Sequence, residues 1–186
     1  MRPMKVWLRV STRISLLFLT ILPIAGTLSA QKEKREPLTE AQIDKIREAG
    51  IDPNARVKLY TSYLEEHVST IKGLTNRGHS SARAKRLDDE LQDLAALMDE
   101  LGTNLDTYSE RHADIRSSLR PLPEAAQQWL TTLKALAGEP EFDLSRKEAI
   151  ESGEDLADQA SRLLREQTDY FNLHKDERGQ DRAEPK

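Results

Sequence analysis

From Ala84 to Leu119, seam residues recur at alternating steps of three and four: Ala84, Leu87, Leu91, Leu94, Met98, Leu101, Leu105, Tyr108, His112, Ile115 and Leu119. Only His112 among them is strongly polar. A seam of seven-residue period belongs to an amphipathic helix that packs lengthwise on partner helices. The spacing predicts one helix from about Ser81 to Leu119, roughly 55–60 Å long at 1.5 Å per residue. Gly102-Thr103-Asn104 is its weakest point, because Gly costs ~1 kcal/mol against Ala inside a helix. Leu101 and Leu105 nevertheless stay in register, so the helix is expected to run through. Ala95, Gly102 and Ser109 form a small-residue stripe beside the seam, and Gly153, Ala157 and Ala160 form another. Such stripes let helix axes approach closely.

The rest of the chain supplies partners for this spine. Thr39 can cap a short helix with Gln42 in a capping box, and Gly50 stops it. Asp52-Pro53 is an N-cap followed by proline at the first helical position. Val57, Tyr60, Leu64, His67 or Val68, Ile71 and Leu74 then mark a face that ends at Asn76-Arg77-Gly78. Ser80 or Ser81 can cap the spine, and Pro121 closes it. A helix from Pro123 to Gly138 and another from about Leu144 to Phe171 complete the set. No segment alternates with a period of two, so no strand is expected. The predicted fold is all-α: an elongated antiparallel bundle of four main helices plus a short N-terminal helix, built on one long helix. Short connections place sequential helices side by side. The Asp52 helix is therefore expected over the N-terminal half of the spine, and the Pro123 helix over its C-terminal half.

Residues 1–30 read as an export signal. Arg2, Lys5, Arg9 and Arg13 form a basic region, Ile14 to Leu28 an uncharged apolar run, and cleavage is expected after Ala30. The apolar run is short for a membrane span of ~20 residues. Lys32, Lys34 and Arg35 beyond it keep open an uncleaved N-terminal anchor. Residues 31–38 read as a linker, 39–171 as the helical domain, and 172–186 as a disordered charged tail. Removing residues 1–30 leaves 24 basic and 32 acidic side chains, a net charge of −8. That balance disfavours nucleic acid as a partner. The chain has no cysteine. Disulfides, thiolate metal sites and cysteine nucleophiles are thereby excluded, and helix packing alone must stabilise the domain.

Residue types that carry chemistry are sparse. No Glu-x-x-His pair of the kind used by di-metal bundles occurs, nor a Gly-x-Ser-x-Gly or glycine-rich phosphate loop. His112 in the seam and His67 beside another read as polar layers. His79 falls in a loop and His174 in the tail. The acidic pairs Asp89/Asp93, Glu110/Asp114 and Glu151/Asp155 read as solvated charge. No catalytic residue, cofactor or metal is expected.

One charge pattern is less ordinary. No acidic residue lies between His67 and Leu87, whereas Lys72, Arg77, Arg83, Lys85 and Arg86 are basic. Cations in a helix's first turn oppose the macrodipole, and a helix N-terminus is a natural anion site. Arg77, His79, Ser80, Ser81, Arg83 and Arg86 are therefore the candidate residues for binding phosphate, sulfate or a lipid headgroup.

The opening Leu38-Thr39-Glu40 with Ile43-Asp44-Lys45-Ile46-Arg47-Glu48-Ala49, followed by Asp52-Pro53 and Arg56-Val57-Lys58-Leu59-Tyr60, resembles exported bacterial helical proteins of unknown function. The resemblance covers Leu38 to Tyr60 and implies no activity and no site residues. The functional expectation is a non-enzymatic exported protein, periplasmic or extracellular, working through protein–protein or envelope contacts. Its partner is another protein or a second copy of itself, with membrane contact only if the N-terminal segment stays uncleaved. The alternative is a binding module for an anionic ligand at the basic turn.

Overall fold

A computed structural model describes residues 36–178. The expected signal peptide, most of the linker and the end of the charged tail lie outside the described residues. Within them the chain is a helical bundle without a strand. The short helix α1 spans Glu40–Glu48, α2 Pro53–Thr75, α3 Ser81–Glu110, the single turn α4 Arg116–Leu119, α5 Leu122–Ala135 and α6 Asp143–Leu173.

The helix starts follow their capping chemistry. Thr39 and Gln42 form a reciprocal capping box. Asp52 accepts from the backbone of Asn54 and Ala55, with Pro53 beginning α2. Ser80 accepts from Arg83 N and starts α3 where expected.

Leu87, Leu91, Leu94, Leu101 and Leu105 are completely buried along α3. The helix also runs unbroken through Gly102. It stops, however, at Glu110, well short of the expected Leu119. His112 takes the left-handed conformation at φ +55°. The His112 N–H then bonds to Ser109 O, and the Ala113 N–H to Tyr108 O, the pattern of a Schellman C-cap. The backbone released by the stop is satisfied from two other helices. Gln167 of α6 donates to Ala113 O and accepts from Ile115 N, while Asn54 of α2 donates to Asp114 O. Buried backbone groups need partners, and these two amides supply them. Ala113, Ile115 and Leu119 remain fully buried, so the seam survives the change of direction.

This break reroutes the chain. α2 runs antiparallel along nearly all of α3, since Tyr60 bonds Glu100 and His67 bonds Glu90. α6 lies parallel to α3, with Gln92 bonded to Ser145 and Gly102 to Gln159. α5 packs on α6 and α2 and does not adjoin α3. The expected covering of the spine's C-terminal half by α5 is thus incorrect. The turn at 111–121 carries the chain diagonally across the bundle, and α6 takes the place beside α3. The four main helices form a ring in the order α2, α3, α6, α5.

The small stripes do mark close approaches. A Cβ added at Gly102 would stand 2.9 Å from Gln159 Oε1, and one at Gly153 would stand 3.0 Å from Leu130 Cδ2 and 3.5 Å from Met98 Sδ. At the far end α6 continues to Leu173, and a 3-10 turn follows at Lys175–Glu177. Tyr170 donates its hydroxyl to Glu177, and Arg178 Nε donates to Phe171 O, folding this segment back on α6. Among the described residues no helix is long and apolar enough to cross a membrane.

Candidate functional site

The basic turn lies where α2 ends and α3 begins. It borders a cleft of about 450 Å³ whose other wall comes from the end of α5 and the loop before α6. Phe142 and Leu136, both buried, provide apolar floor; Ala135 and Ala137 stand at the exposed rim. The charged lining is Lys72, His79, Arg83 and Glu139.

The structure separates the six candidate residues. Ser80 is occupied with capping, and Ser81 opens the helix at its exposed surface. Arg77 is exposed beyond the end of α2. Arg83 turns inward, its side chain only 6% exposed, and makes an ion pair with Glu139. The guanidinium also stands 3.0 Å from His79 Nδ1. That same nitrogen lies 3.3 Å from Glu139 Oε1. It accepts from Arg83 when the proton sits on Nε2 alone and donates to Glu139 when Nδ1 itself carries a proton. The hydrogen bond from Arg83, helped by its positive charge and by His79, holds the Glu139 carboxyl below the usual carboxylate range. Arg83 Nε is buried and has no hydrogen-bond partner.

Arg86 points away to a second cluster. It bonds Glu90 at 2.7 Å, and His67 Nδ1 bonds the other oxygen of Glu90 at 2.9 Å. Glu90 is buried between them, so this group ties α2 to α3. Of the six, only His79 and Arg83 therefore meet at the cleft.

Glu139 was missed by sequence reasoning. It lies 56 residues from Arg83 and follows a glycine in a loop, so only the three-dimensional return of α5 brings the pair together. Lys72 was visible as one of the basic run, but nothing local placed it on the cleft wall.

A different surface lies between α3 and α6. The two parallel helices leave a groove of about 470 Å³ with Ala95 and Ala96 on one side and Ser152 on the other. Asp99, Glu148, Glu151 and Asp155 line it with exposed carboxylates. No group of three or more His, Asp and Glu close enough to hold a metal ion occurs among the described residues.

Comparison with protein-family models, with curated proteins and with solved structures finds no match.

Proposed function

We propose that this is a non-enzymatic exported helical protein that acts by contact with another protein of the cell envelope. The observation that carries this reading is the groove between α3 and α6. Four carboxylates line a shallow channel floored by small side chains, which suits the close approach of a basic helix or extended segment. Complementary charge steers encounter and selects partners more than it adds raw affinity. The basic region and apolar run of residues 1–30 support export, with a mature terminus near Gln31. Intact-mass measurement of protein from its native envelope tests that step; a mass that retains residues 1–30 indicates an anchored form. Co-purification from the same envelope, followed by mass spectrometry, tests for the partner.

A second reading, binding of an anion at the turn before α3, is favoured by one feature. Arg83 is buried at the cleft with an unsatisfied Nε, and Lys72 and His79 stand beside it. Titration with inorganic phosphate at rising ionic strength tests this reading. Exposed charges are screened over ~8–10 Å at ordinary salt, so binding that uses them weakens as salt rises.

A further inference from the structure

We infer that Glu139 is a built-in stand-in for a ligand, and that the cleft between α2, α3 and α5 takes a carboxylate with an apolar body, which displaces Glu139 from Arg83. This deepens the second reading above and rests on it.

The cleft has the size of a ligand site: its volume of about 450 Å³ lies within the ~300–1,000 Å³ typical of small-molecule pockets. Its lining sets an apolar floor, Phe142 and Leu136, among polar side chains from α2, α3, α5 and the loop that carries Glu139. Phe142 and Leu136 would meet the body of the ligand, and Arg83 its head.

The nature of the head follows from the contacts already made. A carboxylate oxygen is what Arg83 holds in this structure. The guanidinium offers donors in a planar fork suited to paired carboxylate oxygens. Its Nε is left without a partner although the side chain is more than nine-tenths buried. A buried donor left unpaired forfeits its hydration with no bond in return. A free carboxylate entering the cleft is not tethered to the loop and can engage donors that Glu139 leaves unused. The neighbouring hydroxyls do not compete as donors, since Thr75, Thr131 and Thr132 each donate to a carbonyl of their own helix.

Displacement requires little of the backbone. Phe142 N and Asp143 N both donate to Glu139 O, which pins the loop by its main chain. The Glu139 side chain is already 20% exposed and can turn to solvent by rotation about its own bonds. Arg83 then stays paired throughout, as a buried cation must.

Calorimetric titration of the full chain tests this with three probes: octanoate, acetate and inorganic phosphate. Octanoate is expected to bind Glu139→Ala about tenfold more tightly than wild type, because the internal competitor is gone. Acetate, which lacks the apolar body, is expected to bind far more weakly than octanoate to both. Ala135→Trp, placed at the exposed rim and away from the core, is expected to abolish octanoate binding without altering the circular dichroism spectrum. Equal octanoate affinity in wild type and Glu139→Ala, or unchanged binding in Ala135→Trp, overturns the inference. If phosphate still binds wild type in a salt-sensitive manner, only the stand-in role fails and the anion reading survives. If no probe binds any of the three proteins, both fail.

Discussion

The imidazole of His112 lies parallel to the phenol ring of Tyr170, with centroids 4.4 Å apart and planes 1° from parallel. Tyr170 in turn stacks on His174 at 4.2 Å. The stack sits where α3 stops and ties that stop to the end of α6. It gives a non-glycine residue at a left-handed position a compensating contact, because aromatic pairs contribute ~0.5–1.5 kcal/mol beyond area burial.

Substitution at this position separates backbone strain from stacking. His112→Ala loses the ring and keeps the left-handed Cβ, whereas His112→Gly loses both. Left-handed backbone costs a residue with a Cβ ~1–2 kcal/mol. The glycine variant is therefore expected to be more stable than the alanine variant by ~1 kcal/mol in urea unfolding. A helix interior predicts the opposite order, so an alanine variant at least as stable as the glycine one contradicts the observed break.

Much of the fold was legible in the sequence. The starts of α1, α2 and α3 were written in side chains that cap locally: Thr39 with Gln42, Asp52 with Pro53, and Ser80. The end of α3 was not. Arg111, His112 and Ala113 contain neither Gly nor Pro, and the heptad spacing continues through the break to Ile115 and Leu119. What releases the helix there is distant, namely Gln167 and Asn54, which take over the backbone bonds the helix gives up. The candidate site divided in the same way. Its basic residues are contiguous in sequence and were readable. The carboxylates that engage two of them, Glu139 and Glu90, are set by tertiary packing and by a helix turn. Local pattern can register charge but not which way a guanidinium points.

Asn54 links α2 to the crossing by accepting from Ser117 and Ser118 and donating to Asp114 O at 2.7 Å. Asn54→Ala leaves several of those groups unpaired and is expected to cost ~2–3 kcal/mol. Asn54→Asp keeps the acceptor and loses the donor, so an intermediate loss is expected. Urea midpoints for both variants decide it, and equal losses mean that the bonds Asn54 accepts from Ser117 and Ser118 contribute nothing.

Gly102 and Gly153 face different neighbours, which ranks their substitutions. Gly102 meets the tip of the Gln159 side chain, a group that can swing aside. Gly153 meets Leu130 and Met98 in the packed core. Overpacking a core costs ~1–3 kcal/mol. Both leucine variants are expected to destabilise, and Gly153→Leu more than Gly102→Leu. The reverse order in thermal unfolding means that α6 does not pack on α5 as closely as described.

Acid should weaken the Arg83–Glu139 tie. The folded carboxyl is held below its unfolded value of about 4.3, mainly by the Arg83 hydrogen bond. A lowered folded value means that the contribution is present above the unfolded value and lost as pH falls through the folded one. Between pH 7 and pH 3, wild type is expected to lose more stability than Glu139→Gln, which has no proton to take up. Parallel losses in the two proteins mean that the pair does not couple to folding.

The proposed contact role turns on the carboxylates between α3 and α6. Asp99 and Glu151 are exposed, so Asp99→Lys with Glu151→Lys cancels the groove's negative charge, setting two ammonium groups against Glu148 and Asp155, without entering the core. The direct measurement is affinity co-purification from the native envelope with wild type and the double variant in parallel, identified by mass spectrometry. A protein that carries a basic segment is expected to be captured by wild type and to be absent from the variant preparation, although the variant remains helical. Capture of the same proteins in equal amount by both contradicts it.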